Sequence, residues 1–292
     1  MKKSKIRSLI FRLRDRLLPR HKGVDSYHHI NNMLKKNEPM MLARFGAVEI
    51  KALCYVILPF PISWLFRKYT YINMPRNAGF FPATKENFRR FADLMCTDME
   101  SVDILASWRI EEILFQRSLS KCFKVGLADL NPHPEQSDFW TSALAGKSVL
   151  VIHPFAKSIE RQYRENRAKL FQKEDFLPKF KSLETIQAVQ TIAGNHAGFD
   201  SWFDALDYMK REVEKRDFDV ALIGCGAYGF PLAAHVKRLG KQALHLGGVL
   251  QLYFGIKGKR WDNKGFYNEY WTSPSQEEKP VNADKVENGC YW

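Results

Sequence analysis

Paired cysteine is missing from this sequence. Cys54, Cys96, Cys122, Cys225 and Cys290 are odd in number, widely scattered and form neither a CxxC pair nor a zinc spacing. That excludes a disulfide scaffold and a zinc ribbon and points to a reducing cytoplasm. Long apolar runs are missing as well. A spanning helix needs about 18–20 apolar residues, and the longest run here, Cys54 to Phe66, is broken by Pro59 and Pro61 and reads as buried or interfacial. The first residues lack the unbroken apolar core of a secretory signal, because charges recur through them. There is no internal repeat and no low-complexity linker. Acid is in short supply, with 32 Asp and Glu against 45 Lys and Arg, a net +13. Polyanions, anionic lipid and phosphorylated substrates are therefore the expected partners.

What is present is an ordinary globular composition, 45% hydrophobic and 26% charged over 292 residues. It excludes a disordered chain, a collagen repeat and a coiled coil, and suffices for a large α/β domain. The charge is unevenly spread: residues 1–22 hold nine Lys or Arg against Asp15, a local +8 that leaves +5 for the rest. At about 100° per residue, Ile6, Leu9, Ile10, Leu13 and Leu17 share one stripe flanked by cations, and Pro19 ends the pattern. Residues 1–22 thus read as a basic amphipathic helix. Its stripe suits an anionic membrane surface, the protein body or a second subunit. No nucleic-acid motif accompanies it, so nucleic acid is not an expected partner.

Residues 23–271 alternate apolar and amphipathic segments, and residues 272–292 turn polar before an aromatic end, a C-terminal tail. Strands are expected at Met40 to Phe45, Val102 to Ser107, Lys147 to His153, Thr185 to Ile192, Asp219 to Gly224 and Gln242 to Leu246. Helices are expected at Ser158 to Phe171, Trp202 to Arg216 and Phe230 to Leu239. This rhythm predicts a doubly wound, mostly parallel α/β sheet, whose ligands bind beyond the carboxyl ends of the strands.

Candidate chemistry collects at those ends. Gly224, Gly226 and Gly229 form a GxGxxG that follows a strand and opens a helix, a place where backbone amides and the helix dipole receive phosphate. A dinucleotide site would carry a carboxylate after the next strand, but His245, Gly247 and Gly248 stand there. The turn also resembles the first motif of S-adenosylmethionine methyltransferases without that motif's acids. Lys257, Lys259 and Arg260 follow, a cationic run beside Trp261 that suits a diphosphate. His153 ends another strand, where a neutral imidazole can take a proton from a hydroxyl. Asp103, Trp108, Arg109, Glu269 and Glu287 are less specific, and Ser158 has no triad companions. Near the start, Arg44-Phe45-Gly46-Ala47-Val48-Glu49 reads as strand, turn and helix start. Glu49 there complements the helix dipole or serves as a catalytic or metal-binding carboxylate.

That last segment resembles the Arg-x-Gly-Asp-Gly-Glu motif of bacterial GT-D fold glycosyltransferases. Gly224 to Trp261 resembles the C-terminal half of related capsule and cell-surface polysaccharide proteins, the likeness running in blocks from Pro39 to Trp261. The resemblance implies a Rossmann-like GT-D domain at the cytoplasmic face of the membrane. It would move a sugar from a nucleotide donor, a UDP-sugar, to a glycan or lipid-linked acceptor. Arg44, Gly46 and Glu49 match the motif, while Ala47 replaces the aspartate that completes the family's Asp-x-Glu site for manganese or magnesium. Glu49 is left as the single carboxylate of that pair, which also leaves room for a non-catalytic scaffold of a polysaccharide assembly complex.

Overall fold

The computed structural model describes residues 14–280, 282–286 and 289–292. In chain order its main elements are α1 (Val24–Lys35), β1 (Met40–Ala43), α2 (Ala47–Ile57), α3 (Trp64–Asn77), α4 (Lys85–Met99), β2 (Ile104–Ser107), β3 (Phe123–Gly126), β4 (Ser148–His153), α5 (Ala156–Asn166), β5 (Ser182–Gln187), α6 (Trp202–Glu214), β6 (Val220–Ile223), α7 (Gly229–Arg238), β7 (Gln242–His245) and α8 (Leu250–Tyr253).

The strands form one seven-stranded sheet in the order β3-β2-β1-β7-β6-β4-β5, with every neighbouring pair parallel. Side chains alternate across a strand, and each face meets its own core. Met41, Ala43, Leu150, Ile152, Ala221 and Ile223 pack with α2, α4, α6 and α7. Met40, Leu42, Val149, Val151, Val220 and Leu222 pack with α1, α5 and α8. This double cover is why the central strands read as continuous apolar runs. The helices begin where local chemistry satisfies their first amides: Thr84 accepts from Asn87 N at 3.1 Å ahead of α4, and Ser201 from Asp204 N at 3.2 Å ahead of α6.

The expected α/β architecture is therefore present, with two differences at the sheet edges. Strand β3 was not anticipated, because an edge strand that contains Lys124, follows Lys121 and is half exposed at its start lacks an apolar run. Strand β5 spans Ser182–Gln187, so residues 188–192 leave the sheet. Leu17 is the last helical residue before Pro19, in accord with the restriction that proline imposes on the residue ahead of it. The stripe residues Ile6, Leu9, Ile10 and Leu13 lie outside the described residues. Leu17, the last of the stripe, is exposed, while its neighbours meet the body: Leu18 is buried, Arg14 donates to the Trp108 carbonyl at 3.1 Å and His21 bridges to Val125. Among the described residues no helix is long and apolar enough to cross a membrane.

The chain runs outward from β1 to β2 and β3, then crosses to the other half and fills back to β7 beside β1. The switch point of the sheet thus lies between β1 and β7, where a crevice opens for a ligand.

Candidate active site

Residues that follow all seven strands line one cavity of about 380 Å³, among them Arg44, Trp108, Leu127, Pro154, Val189, Gly224 and Gly247. At the switch point Arg44 leaves β1 beside His245 at the end of β7. The half-buried Arg44 donates through Nε and Nη2 to the Phe45 carbonyl at 3.3 and 3.2 Å. The same carbonyl accepts Trp108 Nε1 at 2.8 Å, and the guanidinium lies 5.9 Å from the Trp108 ring. Trp108 is held in turn by the buried Glu112 carboxylate, which accepts the backbone N–H groups of Trp108 and Arg109 at 3.0 and 2.9 Å. A flat indole is thereby presented at the cavity wall, next to a cation.

Glycines create the seats for the polar side chains. A Cβ at Gly46 would lie 1.8 Å from Glu49 Oε2, so the carboxylate folds back over the start of α2 into the space that Gly46 leaves. The same relation ties Gly224 to the His153 ring (2.6 Å), Gly229 to the His245 ring (2.4 Å), Gly247 to Arg44 Nη1 (2.5 Å) and Gly248 to Tyr291 (2.3 Å). The GxGxxG motif thus divides its labour. Gly226 alone of its three glycines needs a left-handed backbone, with φ 59°, while Gly224 and Gly229 make room for histidines. Because the His245 ring is enclosed, Gly229→Ala is expected to cost about 1–3 kcal/mol of stability by overpacking. Urea unfolding measures it, and an unchanged midpoint would show that the ring has somewhere else to go.

Burial pushes the His153 pKa down to about 3. His245 also falls to about 3, first through burial and then through the charge of Arg44, with a hydrogen bond to the Arg44 backbone opposing the shift. Both rings are therefore neutral at pH 7. His153 Nδ1 accepts the Phe155 N–H at 3.0 Å, which leaves its own hydrogen on Nε2. A ring so arranged donates a hydrogen bond from Nε2 and has no lone pair free to accept a proton. Burial raises the Cys225 thiol and the Tyr228 hydroxyl, so neither wall residue offers an anion.

The C-terminal residues close the cavity. Glu278 is buried against the start of α5, where it accepts from Lys157 N at 2.8 Å, Ser158 N at 3.2 Å and the Ser158 hydroxyl. Beyond this latch, Val286, Tyr291 and Trp292 join the wall, and Tyr291 Oη accepts from Arg260 Nη1 at 2.9 Å. Glu278→Ala is expected to cost about 1–2 kcal/mol through loss of the helix cap and to expose residues 272–292 to limited proteolysis. Cleavage at the wild-type rate would remove the latch role.

Of the residues singled out from the sequence, Arg44, Gly46, Glu49, His153, Gly224, Gly226, His245, Gly247, Gly248 and Arg260 line this cavity. Gly229 stands behind the wall as the seat of His245. Lys257 and Lys259 are elsewhere: the Lys257 ammonium lies 5.7 Å from the Tyr267 ring centre, and Lys259 is exposed near Gly289. The turn Lys259–Lys264 is 3₁₀, so successive side chains splay by about 120°, and of the three cations only Arg260, itself exposed, lines the cavity. Asp103 caps the far end of the sheet by accepting Met41 N and Lys237, and Arg109 pairs with Glu111 at 2.6 Å. Glu269 is exposed and Glu287 lies outside the described residues. The wall also contains Gln190, Thr191 and Gln251, which carry no motif, and Tyr228 from a variable position of the GxGxxG.

Manganese or magnesium prefers several hard oxygen ligands. Glu49 is the one acidic side chain among the described lining residues, Ala47 at the wall offers no ligand, and no described group of three His, Cys, Asp or Glu is arranged to hold a metal. The donor set does not fit the two-carboxylate centre. Positive charge at the wall comes instead from Arg44 and Arg260.

No protein-family model matches the chain, and no curated protein does. Two solved structures are similar. One is a selenomethionine-substituted domain of unknown function 1792, at 15% identity, and the other is that domain described as having a distinct glycosyltransferase fold, at 14%. Each likeness covers 92% of this chain and 96% of the other, with a TM-score of 0.47. Likeness at that level carries no function across, and the reading that follows rests on the cavity.

Proposed function

We propose that the chain is a glycosyltransferase that takes a nucleotide sugar, a UDP-sugar, as donor. The observation that carries this reading is the meeting of Arg44, Glu49 and Arg260 with the Gly224–Gly229 and Gly247–Gly248 turns around one cavity. Its volume falls within the about 300–1,000 Å³ of ligand pockets. Among the described lining residues Arg44 and Arg260 stand against the one acidic side chain, Glu49, a balance that favours an anionic ligand, and guanidinium forks suit diphosphate oxygens. The flat Trp108 and the C-terminal Tyr291 and Trp292 offer stacking faces for a base or sugar.

In the proposed reaction the bond between the anomeric carbon and the diphosphate oxygen breaks, and a bond from that carbon to the acceptor hydroxyl oxygen forms. Arg44 and Arg260 hold the charge that develops on the leaving diphosphate. Glu49 takes the hydroxyl proton, and the N–H of His153 orients a ligand oxygen as a donor. The acceptor is a glycan or a lipid-linked glycan of surface polysaccharide synthesis, met at the cytoplasmic face of the membrane. An S-adenosylmethionine site is disfavoured, because its sulfonium cation would face two arginines.

Calorimetry with a panel of nucleotide sugars, with and without manganese, tests this reading. Binding and slow hydrolysis of a UDP-sugar are expected. Failure of every donor to bind or be hydrolysed overturns it, and binding of S-adenosylmethionine in their place would move the chain to methyl transfer.

A further inference from the structure

α2 and α3 pack on each other as a hairpin whose tip points apolar side chains at solvent. Phe60 is 80% exposed, Leu65 76% and Trp64 63%, and Ile57, Ile62 and Ile72 are exposed with them. On α3, Trp64, Leu65, Lys68 and Ile72 fall within an arc of about 100°. The buried Thr70 and Met74 occupy the other side. Six large apolar side chains exposed within sixteen residues exceed the scattered exposure normal for a soluble surface.

The charge of the same region is one-sided. From Ile50 to Lys85 the sequence contains no Asp or Glu, while Lys51, Arg67, Lys68, Arg76 and Lys85 supply cations. Lys51 and Arg67 lie over the Tyr69 and Tyr71 rings at 4.0 and 5.4 Å, and Lys68 is exposed on the apolar arc itself. A second copy docking through this patch about a two-fold axis would set cations against cations with no acid between them. An anionic leaflet offers the complementary charge, and Trp and Phe favour the level of its headgroups.

We infer that the Ile57–Ile72 tip seats in the interfacial layer of an anionic bilayer, with Phe60, Trp64 and Leu65 among the acyl chains and Arg67 and Lys68 at the headgroups. The site is separate from residues 1–22 and does not depend on sugar transfer. It also positions the cavity. α2 starts at the wall residues Ala47–Glu49, and α3 returns to the wall residue Asn77. Eleven residues of helix at about 1.5 Å each hold the cavity about 16 Å from the tip. On the reading proposed above, that places it within reach of a lipid-linked acceptor's headgroup.

The test is vesicle flotation of the full chain with mixed phosphatidylglycerol and phosphatidylcholine, without nucleotide sugar. The triple variant Phe60→Ser, Trp64→Ser, Leu65→Ser is expected to lose about tenfold or more in partitioning while its melting temperature holds, because the replaced side chains are exposed. Arg67→Glu with Lys68→Glu is expected to lose about tenfold on anionic vesicles and nothing on pure phosphatidylcholine. Brominated lipid should quench tryptophan emission of the wild type more than that of Trp64→Phe. Wild-type chain that stays out of the vesicle layer, or a triple variant that floats like the wild type, overturns the inference. So does a wild-type dimer in vesicle-free solution that the triple variant splits, because the patch would then be a contact between copies.

Discussion

Replacing Glu49 by Gln is expected to lower sugar transfer by about 10²- to 10⁴-fold, the usual span for loss of a general base. Binding of UDP should remain equal or become tighter. The signs follow from geometry. Glu49 folds into the space above Gly46 at the start of α2, and an amide of the same shape fits that seat. Glutamine also serves in place of glutamate at the third helical position, so the fold should not change. Removing the one acidic side chain among the described lining residues removes its repulsion of the diphosphate that Arg44 and Arg260 would meet. A residue that only caps α2 would show the reverse pattern, with turnover intact. Initial rates and calorimetric titration of the same preparation separate the two.

The central sheet was legible because its strands are buried on both faces and must be apolar throughout. Val220–Ile223 and Ser148–His153 declare themselves in that way, and the helices beside them carry a 3.6-residue stripe. The edges were less legible. β3 and β5 each have one side open, and their Lys, Ser and Glu residues break the apolar signal. The tip of the α2–α3 hairpin was hidden for a related reason: Phe60, Ile62, Trp64 and Leu65 point outward, so they fit no burial pattern, and only the break at Pro59 and Pro61 set them apart.

At the cavity, motifs identified the residues next to strand ends, because a parallel sheet brings those ends together wherever they lie in sequence. Arg44 and His245 are far apart along the chain and adjacent at the switch point. The glycines were recognisable as a phosphate-type turn, yet their second task, making room for Glu49, the two histidines, Arg44 and Tyr291, depends on tertiary packing that spacing does not encode. Lys257 and Lys259 show the converse. A cationic run marks a neighbourhood, but the local turn decides which of its members reaches the cavity. Tyr291 and Trp292 reach the wall through a segment that Glu278 fastens to α5 and that Gln251 and Arg260 hold at Tyr291, and a buried carboxylate on another helix's amides leaves no pattern in its own neighbourhood.

The two neutral histidines set the response to acid. Each has an ordinary pKa of 6.5 that burial lowers to about 3 in the folded chain. Between those values the unfolded chain binds the protons and the folded chain does not, so stability present above pH 6.5 is lost as pH falls. At pH 5 the loss is about 2 kcal/mol per histidine, hence about 4 kcal/mol for the pair, a large part of the 5–15 kcal/mol typical of a folded domain. His29 and His235, also lowered by burial, act in the same direction, while the buried Asp98 and Glu112, raised by burial, act against it. The variants isolate the pair from those groups. His153→Asn keeps an acceptor for the Phe155 N–H, and His245→Gln keeps a donor toward the Arg44 backbone, and neither can take the proton. Urea midpoints between pH 8 and pH 5 should fall steeply in the wild type, less in either single variant and least in the double. Equal slopes in all four would mean that these rings titrate normally, and would return His153 to the proton-accepting role its geometry here denies it.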